Sequence, residues 1–489
     1  MRNFEGISEI CMGNKYQKII AFFLSVACFL LLHQLKNVAS YPYDAGGYWG
    51  LSDPKVFFNF PANQRGCFYP LLLLPAHFFS NLIGHLTPFI FRAYTSIVYA
   101  FVLTIIIPPF YVSIFGGKIT CLRRMITPIL IATLFPGLVI YPLSDLPSFL
   151  LLCSCVSLLI HVKNQKWSLI SILLLIAAGF LAYGAYNTRP IYLFPMICIL
   201  FLVPIFILKM NPLRIKILAL LALIVGMGLA ASPQILINHK NHAGFSPFVT
   251  SGKSLFALQS MWGVTIQKYS TYLSSPTSGG GLYYMDSAGM KFFESEQITG
   301  KDISIHRYLS LVAQNLMHFI GTYSRHVING MDLRDGEVYV QDLTHSCHVL
   351  SAINFSLIFL GLWTLYVRRA KSSIKHPRLA MAPDHDFATE RVEADSSWAI
   401  WFILLILPVI AIVPGAIETR FFLPIQMLLY CTIAFNASIH ELIKQLSENF
   451  LPITLIFLAS FSLFCAVSLN TEASLQTSID PKYMNFTLS

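Results

Sequence analysis

Asp44 is the residue on which a chemistry can be built. It lies in SYPYDAGGYWGLSDPKVFFNFPANQRG, residues 40–66, the first polar break in an otherwise apolar chain. Tyr43 precedes it, Gly46 and Gly47 follow, and Tyr48 and Trp49 close the motif. A carboxylate within hydrogen-bond reach of a hydroxyl can serve as its general base. Glycines let backbone approach a ligand closely, and aromatic faces offer a surface on which a sugar ring stacks. The same residue types also fit a solvated loop with an Asp capping the next turn, and both readings stay open at this point.

Asp145, in YPLSDLPSF, is a second acid of the same kind. An Asp just before Leu146–Pro147 is an ordinary helix start signal. A capping Asp at a membrane surface also faces any site there, so the two roles are compatible. Arg65, Arg189 in NTRP and Arg420 in ETRFFLP each stand at the edge of an apolar run. An Arg there can be an interfacial anchor, and Arg92 reads that way. The other three fall on the face opposite the basic loops, against the charge bias of membrane proteins. Binding a lipid-linked phosphate is a reason for them to be there, because guanidinium forks match phosphate oxygens. Glu418 pairs with one of them or contacts substrate.

Other chemistries lack residues to carry them. His306, His318, His326, His345 and His348 are scattered, with no HExxH or paired-carboxylate spacing. Cys153 and Cys155 form a CxC inside an apolar run, where cysteine behaves as a small core residue. No Walker loop, GxGxxG or GxSxG is present. Without a nucleotide site, an activated group must arrive already attached to lipid.

The elements that position these residues are membrane helices. Of 489 residues, 55% are hydrophobic and 11% charged, against about 25% charged in a soluble domain. Mean hydropathy is +0.64, and apolar runs of about 20 residues recur, each long enough to span a bilayer. The net charge of +10 reflects Lys and Arg in short loops, a topology signal rather than a nucleic-acid surface. Lys15 and Lys18 place the N-terminus inside, before an uncleaved first helix at 18–35. Residues 67–86, broken by Pro70 and Pro75, suit the interface rather than a span. Further spans are expected at 88–115, 126–142, 146–161, 168–186, 190–208, 217–237, 347–367, 398–414, 421–439 and 450–469, about eleven in all. This is an all-α polytopic membrane protein with juxtamembrane helices in its first outer loop.

The expected organisation has three parts. Residues 1–237 form the catalytic membrane module, with outer loop 36–87. Residues 238–346 form an outer module of helices and loops, in which 308–323 reads as an amphipathic helix. Residues 347–489 supply the last helices and a polar inner linker at 368–397.

In this order, the motifs resemble the GT-C superfamily of integral-membrane glycosyltransferases, which use polyprenyl-phosphate sugar donors. The carriers are YDAGGYW at 43–49, the Pro-containing segment 67–86, FRAY at 91–94, SDLPSF at 144–149, NTRP at 187–190 and ETRFFLP at 418–424. They cover roughly residues 18–210 and a short C-terminal piece. The resemblance implies that Asp44 is the catalytic base and that Tyr43, Tyr48, Trp49, Asp145 and Glu418 contact substrate. It implies that Arg189 and Arg420 hold the donor phosphate, and Arg65 joins them on the residue reading given above. Many relatives carry a paired acidic motif where this chain has Asp44–Ala45, so no essential metal or other cofactor is expected. The chain looks like bacterial inner-membrane enzymes that decorate O-antigen, lipopolysaccharide or other cell-envelope glycans on the outer face. A lipid-linked glycan polymerase or ligase and a polytopic transporter are the alternatives. Transporters show inverted repeats and mid-span polar sites, whereas the polar residues here stand at span edges.

Overall fold

The computed structural model describes residues 2–479 apart from 39, 58, 61–64, 85–86, 243, 250–251, 276–277, 299–303, 337, 341–346 and 375–397. Among these residues, eight helices are long and apolar enough to cross a membrane: Tyr16–Lys36, Phe89–Phe115, Asp145–Lys163, Leu169–Thr188, Pro190–Ile207, Leu213–His242, His348–Val367 and Phe450–Ala473. Each coincides with an expected span. The chain is an all-α, multi-pass membrane protein.

The other three expected spans take different shapes. Residues 398–414 form a shorter apolar helix, Trp398–Ile412, and residues 421–439 belong to Thr419–Asn436, which bends 98° against Ile439–Glu448. Counting that bent pair as one span gives nine. Residues 126–142 are split into helix Cys121–Leu134 and a short turn, Gly137–Ile140. Pro136 is the reason, since the residue before a proline is pushed out of the helical region, and Phe135 has φ −129° and ψ 47°.

Small residues set how closely the helices approach. A Cβ on Gly179 would lie 2.1 Å from the Leu223 carbonyl oxygen, and one on Gly226 would lie 1.9 Å from that of Ile176. Helices Leu169–Thr188 and Leu213–His242 therefore touch backbone to backbone, as small residues allow in membranes. The Asp145–Lys163 helix is enclosed by its neighbours, while Phe450–Ala473 stands at the rim.

The first polar stretch contains one helix and leads into a second. Tyr43–Leu51 is a helix despite its three glycines, and Phe68–Ile83 is a second, with Pro75 inside it. They pack through Tyr48, Tyr69 and Leu73, with Phe91 beneath.

Residues 238–346 contribute three strands to a sheet that the sequence reading did not anticipate. Strands β1 (Ile266–Ser275), β2 (Ser278–Met285), β3 (Tyr339–Val340) and β4 (Leu475–Gln476) lie in the order β3-β1-β2-β4. β1 pairs antiparallel with β2 and parallel with β3, and β4 joins antiparallel to β2. Gly279–Gly281 lies in β2, where glycine weakens the strand signal. The expected amphipathic helix at 308–323 is interrupted at Asn315, giving Ile305–Gln314 and Leu316–Met331. Of the inner linker 368–397, residues 375–397 lie outside the described residues.

Candidate functional site

Four helix ends, joined by Arg65 from the loop before Phe68–Ile83, bring charged side chains to one point. Asp44 stands in the first turn of Tyr43–Leu51, and Asp145 is the first residue of Asp145–Lys163. Arg189 follows the end of Leu169–Thr188, and Glu418 and Arg420 flank the start of Thr419–Asn436. All are at helix ends, so the cluster sits at one end of the bundle rather than in its middle.

The contacts form a closed net. Arg65 donates to Asp44, and Arg189 donates to Asp145. Arg420 reaches all three acids: Nη2 lies 3.5 Å from Asp44 Oδ2, Nη1 lies 3.6 Å from Asp145 Oδ2, and Nη2 donates to Glu418 Oε1 at 3.0 Å. The Phe421 ring lies under Arg189, 4.3 Å from ring centre to guanidinium carbon, with Arg420 at 5.6 Å. Stacking of this kind suits the flat, weakly hydrated guanidinium. Three cations face three anions.

Access is uneven. The Asp145, Glu418 and Arg420 side chains keep 3, 7 and 10% of their surface, whereas Asp44 keeps 45%. Partial desolvation works against ionisation of Asp44, but Arg420, Arg65 and Arg189 outweigh it and hold its carboxyl below the usual range. The helix N-terminus at Asp44 adds a positive field of the same sense. Burial acts the other way at Glu418 and pushes its carboxyl up, although Arg420 opposes the shift.

Local backbone explains how Asp44 and Arg65 are presented. Tyr43 has φ +45°, an uncommon conformation for a non-glycine residue that collects at functional sites. The Tyr339 hydroxyl fixes this entry: it donates to the Pro42 carbonyl at 3.1 Å and accepts from the Ala45 amide at 3.2 Å. A Cβ on Gly47 would lie 3.3 Å from the Arg65 guanidinium carbon, and one on Gly66 would lie 1.9 Å from the Asn187 carbonyl oxygen. Gly66 thus lets the segment carrying Arg65 lie against NTRP.

The structure brings together Asp44, Asp145, Glu418, Arg65, Arg189 and Arg420. It leaves Tyr43 exposed beside them. Tyr48 touches the cluster only from behind, with Arg65 5.4 Å over its ring and its hydroxyl donating to Ser144 Oγ at 3.1 Å. Trp49 is turned to packing: it stacks on His77 at 4.6 Å and meets Phe91 edge-on at 5.5 Å. Asp145 does not cap its helix; Ser144 holds the N-cap position, and the Asp145 carboxylate is spent on arginines. Arg92 donates to the Val38 carbonyl and to Asn37, as an anchor does. His345 lies outside the described residues, and among those residues no three His, Cys, Asp or Glu side chains are grouped to hold a metal.

Tyr339 and Phe421 are the members that sequence reasoning missed. Tyr339 sits in no motif, Phe421 lies within ETRFFLP beside the arginine that drew notice, and the importance of both comes from what they touch. A cleft of about 260 Å³, counting its mouth, opens from the cluster. Asp145, Arg189 and Arg420 line its charged end, and Ile191, Pro408, Ile412 and Pro424 line the rest. No family model, curated protein or solved structure matches the chain.

Proposed function

We propose that the chain is a glycosyltransferase that moves a sugar from a polyprenyl-phosphate donor to a hydroxyl of a cell-envelope glycan or glycolipid, with inversion. The donor phosphate binds Arg189 and Arg420, and its prenyl chain leaves along the apolar walls of the small cleft. Arg65 helps to hold the charge. The acceptor oxygen attacks the anomeric carbon as the bond from that carbon to the phosphate oxygen breaks. The acceptor's proton passes to the Asp44 carboxylate, and the electron pair leaves on the lipid phosphate, whose charge the guanidiniums balance. Asp145 and Glu418 orient the arginines from their buried side.

One observation supports this reading above the others: Arg420 lies 3.5 Å from the half-exposed Asp44 and also lines the charged end of a cleft with apolar walls. A proton acceptor and an anion holder are thus adjacent, beside a surface suited to lipid. The reading places the protein in a bacterial inner membrane, with the cluster on the outer face.

The test is incubation of purified protein with a panel of polyprenyl-phosphate sugars, scoring free lipid phosphate and glycosylated acceptor together. Release of lipid phosphate with sugar transfer is expected. Consumption of diphosphate-linked oligosaccharide alone would replace this reading with a polymerase or ligase. Movement of intact lipid-linked sugar across proteoliposomes, with no bond cleaved, would replace it with a transporter.

A further inference from the structure

A second cavity meets the charge cluster only at Glu418 and Arg420. One face of the small sheet forms its floor. Lys268 and Ser270 alternate to the same side of β1, opposite Tyr284 and Leu282 of β2, and Val340 and Leu475 extend the floor onto β3 and β4. The cavity is open to solvent, and its empty space is about 850 Å³ when the mouth is counted.

Its charges differ from those of the small cleft. The wall there carries two arginines and one carboxylate, with the balancing Asp44 and Glu418 set outside it. Here Lys268, Arg334 and Arg420 are matched by Asp335, Glu418 and Glu472. The cations are also engaged. Lys268 Nζ donates to the Asp332 carbonyl at 2.8 Å, Arg334 Nε to Asp332 Oδ2 at 2.8 Å, and Arg334 Nη1 lies 3.5 Å from Glu472 Oε2. A charged ligand would compete with these internal partners and lose its own hydration. Hydroxyl groups both donate and accept, so they can add to paired charges without displacing them. Leu282, Val340 and Leu475 supply apolar floor for the C–H faces of sugar rings.

We infer that this cavity binds a neutral, polyhydroxylated ligand, a short saccharide. On the transferase reading of the charge cluster, on which this part rests, the saccharide is the end of the acceptor. The cavity borders the charge cluster at Glu418 and Arg420, and a chain end reaching past the Arg420 guanidinium, which lies 3.5 Å from Asp44, would bring its hydroxyl to that carboxylate. The ligand class and the position of the cavity thus give residues 238–346 a role in choosing the acceptor.

The experiment measures binding of neutral trisaccharides to the purified full chain, beside trisaccharides of equal length carrying one hexuronate. Neutral sugars are expected to bind, and Ser270→Trp is expected to weaken them at least tenfold by filling the floor. Because that variant can misfold, Ser270→Cys is folded first and then blocked with a bulky maleimide, the unsubstituted chain being treated in parallel to correct for native thiols. The blocked protein should lose neutral-sugar binding at least tenfold. Tighter binding of the uronate series, unchanged binding after the block, or no binding of any trisaccharide overturns the inference. A protein that binds in the expected way yet releases lipid phosphate from no donor keeps this cavity and loses the transferase. A protein that still transfers sugar at full rate with the block in place keeps the transferase and loses this cavity.

Discussion

Three carboxylates share one arginine, and their surroundings set them apart. Asp44 is half exposed and its carboxyl is held low, while Glu418 is buried and its carboxyl is pushed up. A base must reach the hydroxyl it deprotonates, which favours Asp44. Asp44→Asn is therefore expected to lower transfer by about 10²–10⁴-fold while the protein stays folded, checked by donor turnover beside thermal melting. The pH profile separates the two acids. Asp44 has a depressed pKa, so its base form persists as pH falls and is lost only below about 3.9. The rate should stay level from about pH 8 to about pH 5. An acid limb above about pH 4.3, the ordinary glutamate value, would transfer the role to Glu418. Arg189→Ala and Arg420→Ala each remove a charge-assisted contact worth about 1.5–3 kcal/mol, so half-saturation by donor should rise roughly 10–100-fold. Unchanged saturation in both would remove the phosphate role. Sequence alone suggested the charged residues at this scale, because each stands at the edge of an apolar run. Trp49 was read as a stacking surface for sugar, and its ring instead packs on His77. Nothing local to YDAGGYW distinguishes those two uses of an indole.

Glycines at close approaches decide how the elements hold the site. Gly66 has no room for a Cβ against Asn187, so Gly66→Ala must push Arg65 away from NTRP. Donor turnover is expected to fall at least tenfold, following an arginine displaced from its contact by a fraction of an ångström. Melting of the variant in detergent shows whether the effect is local. The Pro136 break and the bend after Asn436 belong to the same scale. The spans expected at 126–142 and 421–439 run straight through both, although a proline stands at one and a polar Asn at the other. The geometry that follows depends on packing. The β1–β2 hairpin was hidden because a run of three glycines carries no strand signal, and it exists through its pairing with β3 and β4.

Across the whole molecule, Asp332 connects the sheet to the last membrane helices. It accepts from Ser351 Oγ at 2.5 Å, Ser468 Oγ at 2.8 Å and Arg334, and its carbonyl accepts from Lys268. Burial raises its carboxyl and Lys268 and Arg334 lower it, with a net fall. The sign follows: a depressed folded-state pKa stabilises above about pH 4 and is lost as pH drops through the lower folded value. Asp332→Ala should cost about 3–5 kcal/mol, as breaking a buried ion pair does, read as a lowered melting temperature at neutral pH. Lys268 has its pKa lowered to about 8 by burial, partly offset by Asp332, so the variant lacking Asp332 should lower it further. Topology is tested by cysteine accessibility. Loop 36–66 should label from outside and loop 116–125 from inside, and reversed labelling would invert the sidedness of the site.

Hydropathy is a local property, so the sequence by itself determined eight of the eleven expected spans and the presence of acids and arginines at helix ends, but not the break at Pro136 or the bend after Asn436. Which of those charges meet is not local. Arg420 finds Asp44, Asp145 and Glu418 because separate helices end together, and Tyr339 reaches Pro42 and Ala45 through a β3 that pairs with β1. Contacts between residues so far apart in the chain leave no periodicity to read, and only the packed structure decides them.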